Sequence, residues 1–144
     1  MTNTSVFNPR PSAPGLLFLC VANAARSQIA EGLARARFGD RVMVQSAGSR
    51  PGTLNPHAVA VLAEIGIDSA RQRSKHVDTI ESESVTTVVT LCEEEVCPAF
   101  LGAAVRLAWP MQDPVGEGGS EMEQRERFRM TRREIARRLD GLVV

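Results

Sequence analysis

The chain has 144 residues, and its 17 basic residues balance its 17 acidic residues. This length suits one domain with a full core, and the balanced charge gives no general attraction to nucleic acid or to an anionic membrane. No stretch is long and apolar enough to span a bilayer, and no stretch resembles a signal peptide. We therefore expect a monomeric cytoplasmic domain with no nucleic-acid or membrane partner. Its three cysteines then favour chemistry or metal binding over structural disulfides.

The predicted elements alternate between strands and helices. Residues 1–14 carry three prolines and are expected to form a flexible arm, followed by a catalytic domain at 15–144. The other predicted elements are a strand from Leu16 to Cys20, a helix burying Ile29, Leu33 and Ala36, a strand at 42–45, a helix from Asn55 to Gly66, a short helix within 68–84, strands at 85–91 and 105–109, and a helix at 121–142.

This alternation predicts an α/β fold with one doubly wound domain. Right-handed crossovers give a four-stranded parallel sheet of order 2-1-3-4 with helices on both faces. Cys20, Cys92 and Asp113 each follow a strand. In a parallel sheet all three lie at the carboxyl edge, where ligands bind.

The segment from Cys20 to Ser27 has the sequence Cys-Val-Ala-Asn-Ala-Ala-Arg-Ser. A strand, a short loop and a helix start form an anion site, because the N–H groups of the loop and the first helical turn lack partners. These dipoles and the Arg26 guanidinium favour the thiolate form of Cys20, which is the nucleophile. The alternative is a buried structural cysteine beside a surface arginine.

Two further cysteines, Cys92 and Cys97, flank an acidic run after the third strand. Their spacing is a poor match to a zinc site, so we predict no metal. A thiol relay fits better, in which Cys92 attacks the sulfur of Cys20 and Cys97 then attacks Cys92. Asp113 follows the fourth strand, where it is either a simple turn residue or a general acid.

These motifs resemble the low-molecular-weight protein tyrosine phosphatases, in a loop of the phosphatase type after the first strand and in Asp113-Pro114. The added Cys92 and Cys97 resemble the arsenate reductases built on that fold. The resemblance covers about residues 16–142 and includes Asn55-Pro56. It implies reduction of arsenate to arsenite by a relay from Cys20 to Cys92 to Cys97.

The resemblance also implies individual roles. Cys20 attacks an arsenate or phosphate-like oxyanion, and Asp113 assists the departure of water or hydroxide. Asn23 supports the loop backbone, and the Ser27 hydroxyl bonds to the thiolate. The substrate-binding residues implied are Val21, Ala22, Asn23, Ala24, Ala25, Arg26 and Ser27.

No bound cofactor is expected, and thioredoxin is the expected reductant. The chain departs from the family in having Ala25 where many members place a cysteine, and in a short gap between Cys92 and Cys97. Glutathione with glutaredoxin therefore remains an alternative donor. Two other functions also stay open, a tyrosine phosphatase and a non-enzymatic redox sensor. The chain has no tyrosine to form the aromatic walls that aryl phosphates would need.

Some reductases of this family hold a potassium ion beside the loop with an asparagine, a glutamate, a serine and an aspartate. Asn23, Glu31 and Ser46 fall at the first three positions, but Lys75 falls at the fourth. An ammonium group there would repel potassium. One hypothesis is that Lys75 faces Glu31 and replaces the ion. The alternative is that Lys75 is a solvated loop residue and the alignment with the family is shifted by one position.

Overall fold

The computed structural model describes residues 14–93, 99–100, 102, 105–116 and 118–144. The strands are β1 (Gly15–Leu19), β2 (Met43–Ala47), β3 (Thr87–Thr90) and β4 (Val105–Ala108). The α-helices are α1 (Arg26–Phe38), α2 (Pro56–Ala63) and α3 (Glu121–Asp140). Short 3₁₀ helices span Gly39–Arg41, Val77–Thr79 and Ser82–Ser84.

The four strands form one parallel sheet in the order β2-β1-β3-β4. The predicted fold class and strand order are confirmed. Leu19, the last residue of β1, pairs with Ala47 of β2 and with Thr90 of β3. The residues that follow these strand ends therefore meet at one edge of the sheet, and Cys20 is central among them.

The central strand β1 is buried on both faces, which explains its unbroken apolar sequence. Leu16 and Phe18 face a core shared with the three α-helices. Leu17 and Leu19 face a second core. Among the described residues, this second core also contains Val77 of the 3₁₀ helix at 77–79 and, outside the helices and strands, Ile80, Val85 and Phe100.

Helix α3 begins with a capping box in which Ser120 and Glu123 each bond to the backbone of the other. The spacing of Phe128, Thr131, Ile135, Leu139 and Leu142 predicts one buried face; the first four are buried, and Leu142 is partly buried beyond the end of the helix. No helix among the described residues is long and apolar enough to cross a membrane.

Several boundaries differ from the sequence predictions. Ala36 was expected in the core but is exposed, because α1 turns that side to solvent beyond Ala34. Helix α2 ends at Ala63 rather than Gly66, which has a φ of 82° and cannot continue a right-handed helix. Two 3₁₀ helices replace the single short helix expected within 68–84. The expected N-terminal arm lies outside the described residues, except for Pro14.

Candidate active site

Cys20 lies directly after β1 and is a free thiol with only 2 % of its surface exposed. Its Sγ is 2.8 Å from the Oγ of Ser27 in the first turn of α1. Asn23 Nδ2 donates to that same Ser27 oxygen at 2.8 Å, which leaves the hydroxyl proton of Ser27 able to point at the sulfur. A hydroxyl donor and a helix N-terminus both stabilise negative charge on sulfur.

The carbonyl groups of the loop after Cys20 all accept hydrogen bonds from outside the loop. Three are held by backbone N–H groups, each at 2.9 Å: Val21 by Arg50, Ala22 by Gly52 and Ala24 by Asn55. In a planar trans peptide the C=O group and the following N–H group point in opposite directions. Turning these carbonyls outward therefore turns the amides of residues 22, 23 and 25 into the loop, an arrangement of N–H donors that suits an anion.

Gly48, which follows β2, permits this arrangement. A Cβ atom at Gly48 would lie 2.3 Å from the Val21 carbonyl oxygen and 2.8 Å from the Cys20 carbonyl oxygen. Only a glycine allows the segment that carries Arg50 and Gly52 to approach the loop so closely.

Asn23 has a φ of 50°, the only positive φ of a non-glycine residue among those described. Asparagine tolerates this left-handed conformation better than most residues, because its side chain can bond locally. Here the side chain is fully buried, and its amide also donates to Ser46 Oγ at 2.9 Å. Its Oδ1 accepts from the backbone N–H of Lys75 at 2.9 Å.

A buried carboxylate supports Asn23 from behind. Ser46 Oγ donates to Glu31 Oε1 at 2.6 Å, and the Glu31 side chain is 3 % exposed. Lys75 Nζ lies 3.8 Å from Glu31 Oε1, so the prediction that Lys75 faces Glu31 is confirmed. Burial lowers the pKa of Lys75 below its usual value, while the Glu31 charge opposes that shift. The chain of contacts from Glu31 through Ser46, Asn23 and Ser27 ends on the Cys20 sulfur.

Arg26 lies in the first turn of α1 and is 4 % exposed. Its Nη1 donates to the carbonyl oxygen of Met111 at 3.1 Å and, more weakly, to that of Leu91 at 3.4 Å. Its Nη2 lies 3.9 Å from Asp113 Oδ2. The guanidinium therefore connects the ends of β3 and β4 to the loop.

Asp113 has a side chain that is 48 % exposed. Its Oδ1 accepts from the N–H group of Val115 at 3.1 Å, as in a turn that begins at aspartate. The turn interpretation and the acid interpretation are compatible here, because Oδ2 faces Arg26 while Oδ1 caps the turn.

Cys92 lies one residue beyond the point where β3 still contacts β1, since the Leu91 N–H group donates to the Leu19 carbonyl oxygen at 2.9 Å. Cys92 is half-buried and disulfide-bonded. Cys20 is a free thiol, so this disulfide does not join the two residues. Cys97 lies outside the described residues.

Comparison with known proteins agrees with the observed fold. Residues 15–144 match the model of the low molecular weight phosphotyrosine protein phosphatase family. The chain belongs to this family. The family resemblance predicted from the Cys20 loop and Asp113-Pro114 is thereby confirmed.

Relatives within this family include an arsenate reductase of Halalkalibacterium halodurans, 39 % identical over 126 residues, which span 86 % of this chain and 91 % of that protein. A solved structure described as an arsenate reductase in the phosphate binding state has a TM-score of 0.75 at 27 % identity, covering 89 % of this chain and 95 % of that one. A thioredoxin-dependent arsenate reductase of Corynebacterium glutamicum has a TM-score of 0.64 at 28 % identity, covering 90 % of this chain and 61 % of that one.

Sequence reasoning missed two of the side chains that hold the backbone of the phosphatase-type loop in place. Gln28 and Ser74 both contact the Asn23 carbonyl oxygen, and neither was singled out from the sequence. Hydropathy gave no signal for Gln28, because it lies in a helical segment of mixed composition, after Arg26 and Ser27. As for metals, no group of three or more His, Cys, Asp or Glu side chains is placed to hold an ion in the described ranges.

Proposed function

We propose that this protein is an arsenate reductase. The observation that carries the proposal is a buried free thiol, Cys20, at the floor of an anion-binding loop. A second redox cysteine, Cys92, follows the neighbouring strand. Phosphate-ester hydrolysis needs only the first thiol, whereas reduction of an oxyanion needs two electrons, which a pair of thiols supplies on forming a disulfide.

In the first step, the Cys20 thiolate attacks the arsenic atom of arsenate and forms a sulfur–arsenic bond. The inward amides of residues 22, 23 and 25 and the Arg26 guanidinium hold the oxyanion oxygens. One arsenic–oxygen bond breaks, and Asp113 gives a proton to the leaving oxygen, which departs as water. The half-exposed position of Asp113 supports this role, because the group can exchange protons with solvent between turnovers.

In the second step, the Cys92 thiolate attacks the Cys20 sulfur. A disulfide forms, the sulfur–arsenic bond breaks, and its electron pair stays on arsenic, which leaves as arsenite. Cys97 then attacks the Cys92 sulfur and releases Cys20 as a thiolate. A disulfide at Cys92 that leaves Cys20 free is consistent with the end of this relay.

A dithiol protein must then reduce Cys92 and Cys97 again. We propose thioredoxin as this partner, in line with the thioredoxin-dependent relative, with glutathione and glutaredoxin as the alternative. Such a relay requires a reducing compartment such as the cytoplasm, where disulfides do not persist.

A coupled assay tests the proposal. The reduced protein is mixed with arsenate, thioredoxin, thioredoxin reductase and NADPH, and its hydrolysis of an aryl phosphate is measured in parallel. We expect NADPH consumption that depends on arsenate and disappears in Cys20→Ser, because a serine hydroxyl does not ionise near neutral pH. Efficient aryl phosphate hydrolysis without arsenate-dependent NADPH consumption, with either thioredoxin or glutaredoxin, would instead indicate a phosphatase. A redox sensor would show neither activity.

A further inference from the structure

The orientation of one peptide group in the phosphatase-type loop depends on side chains rather than on backbone. The carbonyls of Val21, Ala22 and Ala24 are held outward by N–H groups of another segment, which substitution at those positions does not remove. The Asn23 carbonyl oxygen is held instead by Gln28 Nε2 at 3.0 Å and by Ser74 Oγ at 2.6 Å.

Gln28 is fully buried, and both polar atoms of its side chain have partners. Its Nε2 donates to two carbonyl oxygens, that of Asn23 and, at 2.9 Å, that of Arg73. Its Oε1 accepts from Gln72 Nε2 at 2.8 Å. Since both neighbours of Nε2 are acceptors, only the amide nitrogen can occupy that position, and the orientation of the Gln28 amide is fixed by chemistry.

From this geometry we infer that Gln28 is a positioning residue for oxyanion binding, and that Ser74 assists it. Together they hold the Asn23 carbonyl away from the inside of the loop. Because a peptide group is planar, they thereby turn the Ala24 N–H group toward the anion. Without them, the left-handed Asn23 can relax and its carbonyl can rotate toward the anion, which removes a donor and adds a repelling oxygen.

The test measures the affinity of inorganic phosphate by calorimetry on the full-length reduced protein. Gln28→Met keeps the volume and removes both donated hydrogen bonds. Gln72→Met is the matched control, because Gln72 Nε2 donates to Gln28 O and Oε1 and not to the Asn23 carbonyl oxygen. We expect Gln28→Met to weaken phosphate binding about fivefold, and Ser74→Ala to weaken it about threefold. The double variant should lose more than either single variant.

The Gln72→Met control should lower the melting temperature while its phosphate affinity stays close to that of the wild type. A folded Gln28→Met protein with wild-type affinity would overturn the inference, as would a Gln72→Met protein that loses as much affinity. Should Gln28→Met fail to fold, wild-type affinity in Ser74→Ala overturns it. The inference rests on the proposed oxyanion site but not on reduction. A wild-type protein that binds phosphate and does not reduce arsenate would contradict the proposed function and leave this inference standing.

Discussion

Two glutamates, Glu31 and Glu64, each lie against two cationic side chains, yet their surroundings differ. Glu31 is 3 % exposed, accepts from Arg35 at 3.0 Å and lies 3.8 Å from the Lys75 ammonium. Glu64 is 30 % exposed and accepts from Arg129 at 2.7 Å and Arg132 at 2.8 Å. The Arg129 hydrogen bond is the main cause that lowers the pKa of Glu64 to about 2, and Arg132 adds to it.

The difference lies in what each carboxylate holds. Glu64 joins α2 to α3 at the surface, where water can replace either arginine and an ion pair contributes little. Glu31 accepts a hydrogen bond from the Ser46 hydroxyl, which accepts one from the Asn23 amide, and so Glu31 is connected to the loop after Cys20. A short ion-pair distance is thus a poor guide to how much a carboxylate contributes to stability or to phosphate binding. That contribution depends on how deeply the carboxylate is buried and on the hydrogen-bonded side chains that it holds in place.

The same substitution at both sites gives the largest expected difference. Glu31→Gln should lower the free energy of unfolding by about 2 kcal/mol and weaken phosphate binding about tenfold, because it removes a buried charge partner and loosens Ser46 and Asn23. Glu64→Gln, measured by the same denaturant titration and calorimetry, should cost less stability and leave phosphate affinity unchanged. Equal losses of phosphate affinity in the two variants would refute this distinction.

Lys75 sharpens the comparison, because it is proposed to serve Glu31 as a built-in cation. Phosphate affinity and activity of the wild type should not change when sodium is exchanged for potassium. Lys75→Asp, which supplies the aspartate that the family resemblance implies for a potassium site at this position, should make phosphate affinity higher in potassium than in sodium. The measurement is a pair of titrations at equal ionic strength. The hypothesis that Lys75 takes the place of potassium would be contradicted by a wild type whose phosphate affinity requires potassium. It would also be contradicted by a Lys75→Asp protein with equal phosphate affinity in the two salts.

The smallest expected effect is the pH dependence at Glu64. Its pKa is about 2 in the folded protein against 4.5 for an ordinary glutamate, so the folded state favours the carboxylate. Its contribution is therefore complete above pH 4.5 and is lost as the pH falls toward 2. The difference in unfolding free energy between wild type and Glu64→Gln should shrink over that window, as followed by denaturant titrations at successive pH values. A difference that grows toward low pH would be inconsistent with this ion-pair assignment.

The sheet and the edge that carries Cys20 could be predicted because β1 and β3 are buried and apolar, and their parallel order follows from the alternation of elements. The end of β2 could not, since Ser46 looks like a loop residue in the sequence. In the fold its hydroxyl is satisfied by Asn23 and Glu31, which allows a buried strand position.

The loop proposed to bind the oxyanion could be located from the sequence because its residues are consecutive, whereas the contacts that support it come partly from distant residues. Ser74 is 51 residues from Asn23 and reaches its carbonyl only after the segment at 72–75 packs beside α1. Gln28 is five residues from Asn23, but its amide is oriented by contacts with Gln72 and Arg73 in that same distant segment. Neither hydropathy nor spacing encodes such a contact. The Lys75 position was found through the family resemblance and not from the residues alone.

The central claim is that Cys92 releases arsenite from Cys20 by forming a disulfide with it, and that Cys97 then takes over this disulfide. A single-turnover experiment tests the claim most directly. Fully reduced protein is mixed with one equivalent of arsenate without any external reductant, quenched, and analysed for arsenite and for disulfide-linked peptides. The account predicts one equivalent of arsenite and a Cys92–Cys97 disulfide in the wild type, a trapped Cys20–Cys92 disulfide in Cys97→Ser, and no arsenite from Cys92→Ser. Arsenite formed in full by Cys92→Ser, or no disulfide between these cysteines in the wild type, would contradict it.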